Sequence, residues 1–405
     1  MAFLNNLPDG ASAGLALVHP TADEKLHQFK LNGNEWRGAL SHEAYLRREH
    51  TLSNQALTRD NGITYWILID TAATQNALDP KSPSRLPLAS CETYRKKALV
   101  WRDGKVQDTI CHGIGSVFCA PQLRGRRYGQ RMMQEVGQVL KTHQVGRDRE
   151  CLFSVLYSDI GKNFYAKYGG WEPFTSSHVS IPAGDSKHVN TGATPIARPL
   201  YAGDLAELCA IDETLIRKGF EARPRGSNVA VALIPDVETM QWHHAREEFV
   251  GAELHGKEPK VKGAIVGEVI GKRVWMYWTR VWYNGNPQET KGNTLYVLRL
   301  VVEGRVQAGW HSSNDKQEYD SDQEQEAIMS LLAMAQREAE EWKMEQVEVW
   351  NPSPVTVEAA RRLHPTAERE DREEESIASL KWYAEHEGPV ASSIDWVCNE
   401  KYGWC

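Results

Sequence analysis

Apolar positions along this chain follow two different periods, and the changes of period mark out a run of strands and helices. Gly14–His19 alternates and predicts a strand. Thr21-Ala22-Asp23-Glu24 reads as a helix start, and the pattern carries a helix to about Leu31. Ser41 is placed to cap a second helix through HEAYLRREHTL. Apolar runs at Tyr65–Asp70, Pro87–Trp101 and Ile114–Cys119 predict three strands. The loop Pro121–Tyr128 leads into a helix over Gly129–Lys141. Cys151–Tyr157 is a further buried strand, Gly161–Tyr168 a short helix closed by Gly169-Gly170, and Trp171 opens a strand region reaching Ile181.

Ala183–Pro195 is polar and carries Gly, Ser, Thr and Pro, the composition of a linker. Strand, turn and helix then restart at Ile196–Leu200 and Ala202–Leu205. Val274–Tyr283 is a strand dense in aromatic residues. Leu295–Val302 is another, followed by a polar loop and a helix with Ile328, Leu331, Leu332 and Ala335 at helical spacing. A strand at Gln346–Trp350 and a helix near Val357–Leu363 complete a replay of the strand–helix–strand–helix order of the first half. The pattern therefore predicts two α/β units, residues 1–182 and 196–405, joined by residues 183–195. Pro365–Glu375 is a charge run, expected as a solvated helix or loop.

Composition narrows the class. The chain has 405 residues, 41% hydrophobic and 25% charged, the profile of a soluble globular protein. A formal net charge of −7 argues against a general polyanion binder, so no nucleic-acid partner is expected. Seven cysteines are dispersed without any Cys-x-x-Cys, which reads as reduced thiols with no zinc site and no metal. The first twenty residues have neither a basic start nor a long apolar core, so the reading is cytoplasmic, with no membrane association.

Against that acidic background one segment is strongly basic: Arg124-Gly125-Arg126-Arg127-Tyr128-Gly129, between the Ile114–Cys119 strand and a helix N-terminus. Free N–H groups and the positive end of the helix dipole converge at such a place and suit a phosphate. A basic turn that merely caps the helix fits the same six residues. The string resembles the pyrophosphate loop of the GNAT acetyltransferases, Arg/Gln-x-x-Gly-x-Gly/Ala, with Arg124 and Gly129 at its first and last positions. Arg127 stands where that family usually has its middle glycine. The order of elements over roughly the first 180 residues is similar to the GNAT fold as well. The resemblance implies an N-terminal GNAT catalytic unit. It also implies acetyl-CoA as cosubstrate, with Val117, Phe118 and Cys119 along the pantetheine. Arg124, Gly125, Arg126, Arg127, Tyr128, Gly129 and Gln130 would then surround the pyrophosphate. The C-terminal α/β unit reads either as a degenerate GNAT-like repeat covering the substrate side or as a generic α/β domain.

Acetyl transfer to an amine needs a group that takes the ammonium proton and one that protonates the departing thiolate. Phe164-Tyr165-Ala166-Lys167-Tyr168-Gly169-Gly170-Trp171 resembles the family segment that places a tyrosine at the CoA sulfur. This makes Tyr165 the expected acid and Phe164 a cofactor neighbour. Glu92, polar within an apolar strand, and His112, ahead of the CoA strand, are the candidate bases; Glu92 is also a candidate substrate contact. Asp159 lies at a strand end before the Tyr165 helix, where it either meets the cofactor or caps that helix. A free amino acid would need a cation for its carboxylate, and Arg246 and Arg280 are the candidates.

Further segments are similar to the fungal lysine N6-acetyltransferases: Ser90-Cys91-Glu92-Thr93, Leu156-Tyr157-Ser158-Asp159-Ile160-Gly161-Lys162, Trp242-His243-His244-Ala245-Arg246-Glu247-Glu248 and the tail Asn399–Cys405. This resemblance implies acetylation of free L-lysine at its ε-amine, by direct attack through a tetrahedral intermediate, in lysine breakdown. Another small amine, such as a polyamine or an aminoglycoside, is the neighbouring reading. A CoA-binding regulator without turnover is the reading from a different class. In N-myristoyltransferases and mycobacterial multi-domain acetyltransferases the terminal carboxylate acts as base, and by that likeness Cys405 is a further catalytic candidate.

Overall fold

Two sheets divide the chain, and each is completed by a strand from the opposite half. The computed structural model describes residues 7–147, 149–184, 195–304, 321–386 and 388–404. In the first half come β1 (Leu15–Val18), α1 (Ala22–Trp36), α2 (His42–Ser53), β2 (Ile63–Asp70), β3 (Ala89–Arg102) and β4 (Lys105–Phe118). They are followed by α3 (Tyr128–Val139), β5 (Cys151–Ser158), α4 (Asn163–Gly169), β6 (Glu172–Pro173) and β7 (Ser177–Pro182). The second half opens with β8 (Arg198–Leu200), α5 (Leu205–Glu221), β9 (Val229–Leu233), α6 (Val237–His255), β10 (Gly263–Val266), β11 (Val274–Val281) and β12 (Thr294–Val302). It closes with α7 (Ser321–Glu341), β13 (Gln346–Trp350), α8 (Pro354–Leu363), β14 (Arg369–Asp371), β15 (Ile377–Trp382), α9 (Val390–Ser393) and β16 (Ile394–Trp396).

Local chemistry explains most boundaries. The Thr21 side chain accepts the Glu24 N–H while the Glu24 carboxylate accepts the Thr21 N–H, a reciprocal cap that starts α1. That helix runs to Trp36, beyond the expected Leu31. β4 is much longer than the predicted Ile114–Cys119. Asp103 and Gly104 both adopt positive φ, 54° and 80°, and fold β3 back into β4 as a tight hairpin. The Asp-Gly pair carried that signal. The charge run expected as a solvated helix or loop contains the short exposed edge strand β14 instead.

The first sheet has the order β1-β2-β3-β4-β5-β15-β6, with β9 on the far half of β3 and β16 on β9. The second has the order β14-β7-β13-β12-β11-β10-β8. Each contains an antiparallel run ending in one parallel pair, β4–β5 in the first and β12–β13 in the second. The same order of strand pairings therefore recurs in the two sheets. The strand after each parallel pair is exchanged. β15 of the second half lies on β5, and β7 of the first half lies on β13. The single strand region expected from Trp171 to Ile181 thus splits into β6 and β7, which belong to different sheets. Of the expected linker at 183–195, residues 185–194 lie outside the described residues.

The halves share a core. Trp101 and Phe153 of the first sheet pack in one cluster with Phe220, Trp275 and Tyr402 of the second half. The C-terminal residues are threaded through this junction. The Tyr402 hydroxyl donates to the Leu233 carbonyl at 2.7 Å, and the Lys96 ammonium donates to the Gly403 carbonyl at 2.8 Å.

Candidate active site

β4 and β5 start side by side and then part. Their pairing ends at Ile114–Leu156, while β4 continues through Gly115–Phe118 without β5 beside it. The cause lies on the other edge of β4. The β3–β4 register slips between Ser90 and Glu92, and Ser116 adopts φ +50°. A bulge bends a strand and re-aims its side chains. Here the Ser116 hydroxyl is turned onto Glu92 Oε1 at 2.7 Å. The Tyr94 hydroxyl donates to the same oxygen at 2.8 Å.

The gap between the strands opens into a cavity of about 1300 Å³. One end is the basic loop. Gly125 (φ +81°) and Arg127 (φ +66°) both take left-handed backbone, and no side chain caps the N-terminus of α3. Arg127 occupies the conformation a glycine would adopt there without strain. Its guanidinium turns away to Asp9, and Arg124 Nε donates to the Cys119 carbonyl at 2.9 Å. Gly10 N–H braces the loop by donating to the Arg126 carbonyl at 2.8 Å. A Cβ on Gly129 would stand 3.5 Å from the Phe164 ring, so the start of α3 and α4 face each other closely. An uncapped helix start beside a splayed strand fits an acyl-CoA, with N–H groups for phosphate and an open strand edge for pantetheine amides. Because the Asp9–Arg127 pair is exposed and contributes little, Arg127→Gly should leave the melting temperature unchanged or slightly raised. Its CoA affinity by calorimetry should stay within a few-fold.

At the centre is Glu92. Burial pushes its carboxyl up to about 7, and the nearby Glu49 charge adds to the shift, against the lowering from Ser116 and Tyr94. Glu49 is bound to Arg48, Nε and Nη2 donating to Glu49 Oε1 at 2.9 and 2.6 Å. Tyr165, on α4, lines the same cavity, and its hydroxyl makes no hydrogen bond to the described residues. Burial, followed by the Asp159 charge, raises the Tyr165 hydroxyl above its ordinary value, so it is protonated at neutral pH.

The cavity brings together Glu92, Tyr165, Val117, Phe118, Cys119, Arg124, Gly125, Arg127, Tyr128, Gly129, Gln130, Asp159, Phe164, Arg246 and Arg280. Arg126 and His112 do not line it. His112 is buried, its Nε2 is 3.1 Å from the His143 carbonyl, and burial holds its imidazole down at about 4. It stands apart from Glu92's cavity as a packed histidine. Asp159 Oδ1 accepts the Ser376 N–H at 3.0 Å rather than capping α4. The two arginines also separate. Arg280 is committed to Glu247, Nη1 to Oε2 at 2.9 Å, and to Glu338. Arg246 has no ion pair or hydrogen bond among the described residues and lies over the Trp404 ring at 5.4 Å. Cys405 lies outside the described residues.

Several lining residues were not foreseen: Tyr45, Arg48 and Glu49 from α2, Tyr94, Ser116, and Trp242 from α6. Trp242 and Arg246 stand one helical turn apart, a spacing that puts both on one face. The second half closes the cavity with Tyr283, Tyr296, Glu348 and Trp404. In that half the equivalent gap, where β12 runs past β13, is filled. The Leu300 N–H donates to Glu400 Oε2 at 3.0 Å, and Arg299 ties Glu400 to Asp212. Among the described residues, no group of three or more His, Cys, Asp or Glu could hold a metal, and no helix is long and apolar enough to cross a membrane.

Residues 178–405 match the family model described as the LYC1 GNAT-like C-terminal domain, a match that opens on β7. A lysine acetyltransferase of Yarrowia lipolytica (strain CLIB 122 / E 150) is 25% identical over 279 residues, 60% of this chain and 67% of that protein. Among solved structures, a probable N-acyltransferase from Enterococcus faecalis V583 is similar with a TM-score of 0.50 and 12% identity, over 91% of this chain and 72% of that one. Saccharomyces cerevisiae N-myristoyltransferase, solved with bound myristoyl-CoA, is similar with a TM-score of 0.50 and 10% identity, over 94% and 81% of the two chains. At these identities the two structures speak to the fold alone.

Proposed function

The chain belongs to the LYC1-like GNAT family, and from that premise we propose that it transfers acetyl from acetyl-CoA to the ε-amine of free L-lysine. The observation that carries the reading is Glu92. It is a buried carboxyl held up at about 7, at the centre of a cavity that runs from an uncapped helix start to an unpaired arginine. The name of the Yarrowia lipolytica relative supports lysine as the amine.

When bound, acetyl-CoA supplies an activated thioester. Glu92, ionised above about pH 7, takes a proton from the ε-ammonium, directly or through a water, and frees the nitrogen lone pair. As the C–N bond forms and the C–S bond breaks, the Tyr165 hydroxyl gives its proton to the departing sulfur. Tyr94 and Ser116 hold Glu92 Oε1 in place. Arg246 holds the substrate carboxylate, because it lines the cavity one helical turn from Trp242, which packs on the Tyr94 that bonds Glu92, and it makes no ion pair or hydrogen bond among the described residues.

Free-thiol release with L-lysine and a panel of polyamines and aminoglycosides tests the reading. Lysine-specific release supports it, release with another amine alone overturns the substrate, and CoA binding without release overturns the reaction. Tyr165→Phe should lower kcat about 10–100-fold while leaving CoA affinity unchanged. An unaltered kcat would remove Tyr165 from the proton path.

A further inference from the structure

The second sheet turns a polar face to the cavity. Along β12 and β13, Thr294, Tyr296, Gln346 and Glu348 line it, while the alternate residues Leu295, Val297, Val347 and Val349 pack into the core. Glu348 is the one carboxylate in that set of four. It is 9% exposed, and Oε1 accepts the Trp350 indole N–H at 2.6 Å. Oε2 meets only the Gln346 amide, at 3.4 Å, and no ion pair forms among the described residues. The Arg372 guanidinium and the Lys401 ammonium lie over the neighbouring Trp350 ring, at 4.1 and 4.2 Å, and feel the Glu348 charge, but neither closes an ion pair with it among the described residues, so the carboxylate can still take a directly bound cation.

Arg246 lines the same cavity and lies over the Trp404 ring at 5.4 Å; the Lys401 ammonium lies over that ring and over Trp350, whose indole N–H is bonded to Glu348. Arg246 and Glu348, of opposite sign, therefore line the part of the cavity around Trp404 and Trp350. Lys401 does not fill the vacancy at Glu348. Its ammonium is held over the rings of Tyr296, Trp350 and Trp404, each at 4.2 Å. From that corner one wall leads back to the base. Arg246 follows Trp242 by one turn of α6, the Trp242 ring packs on Tyr94 at 5.5 Å, and Tyr94 bonds Glu92.

We propose that Glu348 binds the α-ammonium of the substrate, so that the second unit selects an α-amino acid while the first supplies the acyl-CoA site and the base. This rests on the lysine reading above. A carboxylate on Arg246 and an ammonium on Glu348 engage one charge from each unit and leave the side chain directed along the wall toward Glu92.

The test compares L-lysine with ε-aminocaproate, which is lysine without its α-amine, in wild-type protein and in Glu348→Gln. Wild type should prefer lysine by about ten- to a hundredfold in kcat/KM, the range for a hydrogen-bonded charge. Glu348→Gln should lose most of that preference through a raised KM for lysine, with acetyl-CoA affinity and melting temperature as controls for folding. Equal use of the two amines by wild type overturns the proposal without any variant. So does a Glu348→Gln protein whose two activities fall in proportion, or one that keeps the preference. No turnover of lysine by wild type overturns the function reading itself, and this inference with it.

Discussion

Glu92→Gln should lower kcat/KM for the amine about 10²–10⁴-fold and abolish the rise of kcat/KM with pH. In wild type that rise is centred near the carboxyl's value of about 7, because the protonated form cannot accept the ammonium proton. The variant keeps the geometry, since a glutamine oxygen still accepts from Tyr94 and Ser116. A pH–rate profile that retains its acid limb in Glu92→Gln would place the base elsewhere.

The same substitution should act on stability in the opposite direction. An unfolded glutamate titrates near 4.3, well below the folded value of about 7. Between these values the folded chain keeps a proton that the unfolded chain has released. The stability contributed by the neutral carboxyl is therefore full below about 4.3 and lost as pH rises through about 7. Glutamine stays neutral throughout. Relative to wild type, Glu92→Gln should gain on the order of 2 kcal/mol between about pH 5 and about pH 8, read from urea unfolding at the two values. A buried carboxyl that must ionise to act is in this sense paid for by the fold.

Arg299→Leu carries the largest expected loss of stability. Arg299 is fully buried, with Nε and Nη2 on Asp212 at 2.8 and 2.7 Å and Nη1 on Glu400. Removing it strands two buried carboxylates, which should cost about 3–5 kcal/mol in urea unfolding at neutral pH. Burial already raises the Glu400 carboxyl above its ordinary value, so acidification should narrow the deficit by neutralising it. Adding Asp212→Asn and Glu400→Gln to Arg299→Leu should restore much of the stability, because the charges leave together. A neutral-pH loss below about 1 kcal/mol would mean that the carboxylates find water or another cation. The effect should also reach the cavity, since Glu400 leads directly into Lys401 and Trp404.

How legible this molecule is in its sequence depends on the range of the interaction. The basic loop, the α3 start and the tyrosine on α4 follow one another within one strand–helix–strand–helix run, so local pattern locates them. Glu92 is visible as a charge in an apolar strand. The setting that gives it chemistry is not visible. Ser116 reaches it through a bulge, and a bulge shifts register without altering the apolar pattern. Arg48 and Glu49 sit in a charged helix that reads as solvated surface until α2 packs over the β3 end of the cavity. His112 stands just before the splayed end of β4, but nothing in its sequence neighbours announces that it is buried away from the cavity. Arg246 and Arg280 look alike as residues, but Arg280 is paired with Glu247 and Glu338 and Arg246 with neither. The exchange of β7 and β15 was beyond local pattern altogether, because a strand's own sequence does not say which of two sheets it will join.

That exchange has a consequence for how the molecule is made. β15 lies between β5 and β6, so the first sheet is unfinished when the residues of the first half leave the ribosome. Until Ile377–Trp382 has been synthesised, the edge of β5 is open, and its sequence, CLFSVLYS, is largely apolar. Such an edge pairs readily with a second copy. The newborn chain must keep it covered across the whole synthesis of the second unit. A gene fragment cut at the polar joint would never receive the missing strand, so it should accumulate as aggregate rather than as a working half-enzyme.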